Sequence, residues 1–136
     1  MEFIRTMMIA ASGLRAQSDR MRVISENIAN ADSTAANSQT DPYRRRIPTF
    51  RSAFDKELQA NVVQLGKVQT DKSDFIVKNE PGNPAADAAG NVKYPNVNTL
   101  IETVDMREAQ RSYEANLNVI GATRRMISRT LDLLKA

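Results

Sequence analysis

The run from Asn98 to Ala136 contains no proline and one glycine. As one helix it spans roughly 55 Å at about 1.5 Å per residue, long for a globular helix. Tyr113, Leu117, Ile120, Ile127, Leu131 and Leu134 follow a heptad seam in steps of four and three, with Arg124 interrupting. Such spacing holds one side of a helix against a partner. A second row, Ala115, Val119, Ala122, Met126 and Leu133, lies well round the cylinder. Two apolar rows on one helix predict more than one packing partner.

The other end of the chain has the same character. Phe3, Met7, Ala10, Leu14, Gln17, Met21, Ile24, Ile28 and Ala31 step four and three throughout, and only Gln17 is polar. Gly13 costs a helix around 1 kcal/mol against alanine, so a close helix approach or a slight bend is expected there. Asn30, Asp32 and Ser33 are weak helix formers and mark the end. Thr99 and Glu102 have capping-box spacing and mark the start of the last helix.

Between the helices the pattern breaks. Residues 35–41 are small, polar and aperiodic. Pro42-Tyr43 leads into Arg44, Arg45 and Arg46, which can touch phosphate, a carboxylate patch or water. Residues 52–60 place Ala53, Phe54 and Leu58 on one side of a short helix. Val62 to Leu65 and Val68 to Thr70 read as strand, as does Phe75 to Val77, with turn chemistry at Asp71 to Asp74. The expected fold is therefore mainly α. Long N- and C-terminal helices, residues 1–34 and 96–136, pair as a discontinuous coiled-coil hairpin. Residues 35–95 form a small irregular insert with a loop, a short helix and a β-hairpin.

The composition narrows function. Aromatics are 5% of 136 residues, so narrow seams of Leu, Ile, Met and Ala fit better than a thick core. There is no cysteine and no histidine, which removes thiolate metal sites and the commonest general base. No catalytic, cofactor-binding or metal residue is assigned, and Asp71 and Asp74 read as turn residues. No apolar run approaches the roughly 20 residues of a membrane span. Glu2 and Arg5 interrupt what a cleaved signal peptide needs.

Several segments together resemble the rod and hook proteins of the bacterial flagellum. Ala11-Ser12-Gly13-Leu14-Arg15-Ala16-Gln17 and Asn27-Ile28-Ala29-Asn30-Ala31-Asp32-Ser33-Thr34 are similar to the N-terminal signature of that family. Val104-Asp105-Met106 and Arg111-Ser112-Tyr113-Glu114-Ala115-Asn116 are similar to its C-terminal one. Pro42-Tyr43-Arg44-Arg45, Pro84-Ala85-Ala86-Asp87 with Gly90, and Tyr94-Pro95-Asn96-Val97-Asn98 resemble the proximal rod member. Ala35-Ala36 stands where many rod and hook relatives carry Gly-Tyr, which also agrees with the proximal rod.

The resemblance implies a non-enzymatic structural subunit of the basal body, in the periplasm, exported without a cleaved signal by the flagellar type III apparatus. It would build a drive shaft that transmits torque and encloses the export channel. Its partners would be copies of itself, other rod proteins, and membrane-ring and rod-adaptor proteins at the base, with no nucleic acid and no lipid span. The seam from Phe3 to Ile28 would meet the seam from Tyr113 to Leu134, and the second row would meet other subunits. Arg44 to Arg46 would dock an acidic neighbour, and the helical ends would gain order on assembly. The alternative is a basic helical adaptor or nucleic-acid-binding protein, whose binding would weaken steeply with salt.

Overall fold

A computed structural model describes residues 2–135; the expected helix ends at Met1 and Ala136 lie outside them. The order is α1 (Glu2–Ala29), β1 (Arg46–Ile47), β2 (Phe50–Asp55), β3 (Ala60–Leu65), β4 (Gln69–Thr70), β5 (Ile76–Asn79), β6 (Asn91–Tyr94) and α2 (Thr99–Lys135). Two long helices thus bracket a small insert of antiparallel strands. No helix among the described residues is long and apolar enough to cross a membrane. The chain divides into two compact units, and each draws on both helices and on part of the insert.

The helix boundaries follow from local chemistry. The Asn30 side-chain amide donates to the Glu26 carbonyl, 2.8 Å, closing the last turn of α1. At the start of α2 the cap is Asn98, whose Oδ1 accepts the Leu100 N–H at 3.0 Å. Thr99 is therefore the first helical residue and not the cap. Glu102, expected to complete a capping box, turns inward instead.

The first unit contains α1 to Met21, Thr49–Lys67, and α2 from Arg107. Its helices run antiparallel, since Gly13 lies against Asn116 while Arg20 lies 3.6 Å from Glu108. A Cβ added at Gly13 would stand 2.8 Å from Asn116 Nδ2, so glycine is what permits the approach. Ala10, Ala16, Ala109 and Thr123 are also buried. This register places the start of α1 beside about residue 127. The last two turns of α2 run on past it, and every residue from Ser128 to Lys135 is exposed.

Strands β2 and β3 form a hairpin with Ala53 opposite Val62 and Ser52 opposite Val63. The short helix expected over residues 52–60 is not formed. The β-branched run Val62-Val63 supplies a cross-strand partner, and the two-residue alternation of Phe50, Ser52 and Phe54 prevails over the helical spacing. The Asp55 carboxylate accepts the N–H groups of Glu57 and Leu58, closing the turn. Buried Val62 and the Ser12 hydroxyl, which accepts the Val63 N–H at 3.2 Å, seat the hairpin on α1.

The second unit contains Arg22–Pro48 and Val68–Met106. Strand β1 pairs β4, and β5 pairs β6. The hairpin expected across the Asp71 to Asp74 turn, between the strand residues of Val62 to Thr70 and Phe75 to Val77, is therefore not formed. β3 finds its partner earlier in the chain, and β5 finds its partner later. The link from β5 to β6 is closed by the Asp87 carboxylate, which accepts the Ala89 and Asn91 N–H groups, and by Gly90 at φ +81. Val23, Ile24, Ala31, Ala85, Val92 and Val97 form this unit's small core.

Gly13→Ala should lower the urea midpoint despite alanine's better helix propensity. The new methyl must displace the Asn116 amide from its 3.0 Å bond to the Ser112 carbonyl. Adding Asn116→Ala should restore the midpoint, which a two-variant unfolding series measures.

Candidate assembly surfaces

A cluster of mutually hydrogen-bonded side chains lies in the second unit. Asn27 is fully buried and makes all four of its hydrogen bonds. Its Oδ1 accepts the Tyr43 hydroxyl at 2.7 Å and the Arg46 N–H at 2.9 Å. Its Nδ2 donates to the Arg46 carbonyl at 2.8 Å and to Glu102 at 3.0 Å. Glu102 is 1% exposed and takes a second, charged partner in Arg45 Nε. Arg45 also faces Asp71 at 3.7 Å and Asp105 at 3.6 Å. Its backbone N–H donates to Asn96 Oδ1 at 2.8 Å.

These contacts set the local protonation. Burial alone lowers the Arg45 pKa, but the hydrogen bond and charge of Glu102, with Asp71 and Asp105, outweigh it and raise the value. Burial raises Tyr43, against the opposing charge of Arg46. Asp71 is held below its ordinary value, first by the Ser73 backbone and side-chain hydrogen bonds and then by Arg45.

The arginine triplet is thus used within the chain. The Arg44 guanidinium stacks 4.0 Å from the Phe75 ring centroid and donates to the Ser73 carbonyl. Arg45 is the centre of the carboxylate cluster. Arg46 donates to Glu26 at 3.1 Å and keeps part of its surface exposed.

The helix seams fall differently. On α1, Ala10 and Ile24 are buried; Met7, Leu14 and Met21 are half-buried; Phe3 and Ile28 are exposed at the rim. On α2, Tyr113, Ile120 and Ile127 are half-buried, whereas Leu117, Leu131 and Leu134 are exposed. Of the second row, Ala122 is half-buried, and Ala115, Val119, Met126 and Leu133 are exposed. The side of α2 turned inward carries Glu102, Ala109, Asn116 and Thr123 at strict seven-residue spacing, interleaved with Met106, Tyr113, Ile120 and Ile127. Sequence reasoning placed Tyr113, Ile120 and Ile127 on the seam but missed Glu102, Ala109, Asn116 and Thr123, which are small or polar. The signal was the repeat of Glu102, Ala109, Asn116 and Thr123, offset by three or four from the apolar positions.

Residues 7–35 match the family described as "Flagella basal body rod protein". Residues 88–133 match "Flagellar basal body rod FlgEFG protein C-terminal". The chain is similar to the flagellar basal-body rod protein FlgC of Agrobacterium fabrum, 55% identical over 94% of this chain and 92% of the relative. The Bacillus subtilis FlgC is 37% identical over 93% and 95% of the two chains. That of Aquifex aeolicus is 34% identical over 99% of both.

Arg45→Met should destabilise the purified chain by about 3 kcal/mol in urea, because Glu102 is left buried and unpaired. Arg45→Met with Glu102→Met should recover most of that loss. A pH series checks Asp71. Its folded pKa is lowered, so its stabilisation is full above the ordinary value of 3.8 and is lost as pH falls through the folded value. Asp71→Asn should flatten that acid limb of the stability profile.

Proposed function

We propose how this subunit assembles from one premise: the chain belongs to the FlgC family of flagellar basal-body rod proteins and is a structural subunit of the rod. The observation that carries the reading is the distribution of side-chain size. Small and polar residues hold the two helices together: Gly13 against Asn116, Asn27 against Glu102, and Ala10, Ala16 and Ala109 buried. Large apolar residues face outward at Ile4, Met8, Leu117, Val119, Met126, Leu131, Leu133 and Leu134. A protein that worked as a monomer would carry such uncovered surface only at a cost in solubility.

In this reading the terminal helices of neighbouring subunits pack on those residues in coiled-coil fashion. The contact is heterologous, repeated and non-closing, so it winds into a tube. The subunit belongs to the proximal part of the shaft, transmits torque along it, and surrounds the channel through which later components pass. It reaches the periplasm through the flagellar export apparatus and meets other rod proteins above the membrane ring and its adaptor. The insert, with its arginines fastened internally, stiffens each subunit against twist. Arg45 is engaged among three carboxylates, which removes it from the basic run that the nucleic-acid alternative relies on.

Leu117→Asp provides the test. Leu117 is exposed, so circular dichroism and the urea midpoint of the purified chain should stay within about 0.5 kcal/mol of wild type. Cells carrying the variant should nevertheless lack rods and not swim; normal swimming would overturn the reading. Ile24→Asp is the contrast, because Ile24 is buried and a charge there should unfold the chain itself.

A further inference from the structure

The end of α2 has a chemistry that the rest of the helix lacks. The other carboxylates of α2 gather early, at Glu102, Asp105, Glu108 and Glu114. From Arg124 onward the cations Arg124, Arg125, Arg129 and Lys135 stand against Asp132 alone. All of these cations are exposed. Among the described residues none of them lies within ion-pair distance of a carboxylate. In the same turns Met126 is 49% exposed, Leu131 50%, and Leu133 and Leu134 79% each.

The two sets are sorted round the helix. At about 100° per residue, Leu133, Met126, Leu134 and Leu131 fall within one arc of about 160°. Arg129 borders that arc on one side, and Arg124 and Lys135 border it on the other. Asp132 stands at the middle of the polar side, as far from the apolar arc as the helix allows. Apolar centre, cationic margins and a remote acid are what a helix lying on an anionic lipid surface needs. The leucines enter the acyl boundary, and the cations at the margins reach back along their own stems to the phosphates. A second copy of this helix end fits worse. It would bring the same cations to the same margins, where like charges oppose.

Going beyond the rod reading above, we infer that the α2 end of the free subunit, Arg124 to Lys135, is a binding site for an anionic lipid surface. The helix lies along the surface and does not cross it, since no helix among the described residues is long and apolar enough to span a membrane. The site belongs to the subunit before assembly, because neighbours packed on Leu131 and Leu134 close it. Its effect is to confine free subunits to a surface and so to raise their local concentration there.

Vesicle flotation of the purified full chain tests this. The chain should float with vesicles of equal parts phosphatidylcholine and phosphatidylglycerol, and not with phosphatidylcholine alone. Added salt should release most of it. Arg124→Gln with Arg129→Gln should cut partitioning about thirty-fold. The matched pair Arg107→Gln with Arg111→Gln, exposed on the same helix, should leave it unchanged. Leu131→Gln with Leu134→Gln should cut it more than about ten-fold. Every substituted residue is exposed, so the urea midpoints should stay at the wild-type value. Equal losses from the two arginine pairs would overturn the site in favour of diffuse attraction by net charge. Full binding by the leucine variant would overturn the insertion. A chain that floats with neither vesicle but self-associates through Leu131 and Leu134 would replace the lipid with a second copy. No step of the assay involves assembly, so these failures leave the rod reading standing, and that reading fails separately if Leu117→Asp cells swim.

Discussion

The contact on which this structure depends is the close approach of two helices through residues with little side chain. Gly13 lets Asn116 lie where a methyl group would stand. Ala16 and Ala109 are buried almost completely. Close approach through small residues yields many short contacts but covers little apolar area. Many of the large apolar residues, Leu117, Val119, Met126, Leu131, Leu133 and Leu134 among them, are left exposed on the flanks. Little buried apolar area between the helices and much exposed apolar surface on their flanks are two results of the same placement.

The polar cluster around Asn27 complements this arrangement. A seam of alanine and glycine fixes distance but specifies register weakly. A fully satisfied amide bonded to Glu102, with Arg45 held among three carboxylates, accepts only one alignment, because any slip leaves a charge buried and unpaired. The loop from Tyr43 to Arg46 is drawn into the same cluster, and Asn96 ties it to the Asp71–Ser73 turn. In the second unit, order thus comes from hydrogen bonds and charges around a modest core.

Much of this was legible in the sequence. The length and ends of both helices followed from the absence of proline, from Asn30 and Asp32, and from the polar start near Asn98. The turn at Asp71 followed from Asx chemistry. The partner of each strand was not legible, because strand pairing is nonlocal. Val62-Val63 fits any neighbour with an alternating pattern, and β2 was concealed by the helical spacing of Ala53, Phe54 and Leu58. The inward face of α2 was hidden for a different reason. Periodicity weighs large apolar side chains, whereas here Asn116 and Thr123 face inward and Leu117 faces out. Glu102 suited a cap by spacing, but buried pairing with Arg45 satisfied it better. Within the arginine run, Arg45 is held by Glu102, Asp71 and Asp105, whereas Arg46 reaches Glu26 and keeps half of its side chain exposed.

The uneven lengths of the paired helices have one more consequence. Because α2 continues past the start of α1, that margin of the first unit has a projection with no counterpart of its own to match it. Residues Ser128 to Lys135 keep their helical form by backbone hydrogen bonds, with every side chain exposed. Helix at that margin is therefore the least costly part of the unit to undo, and fraying begins there.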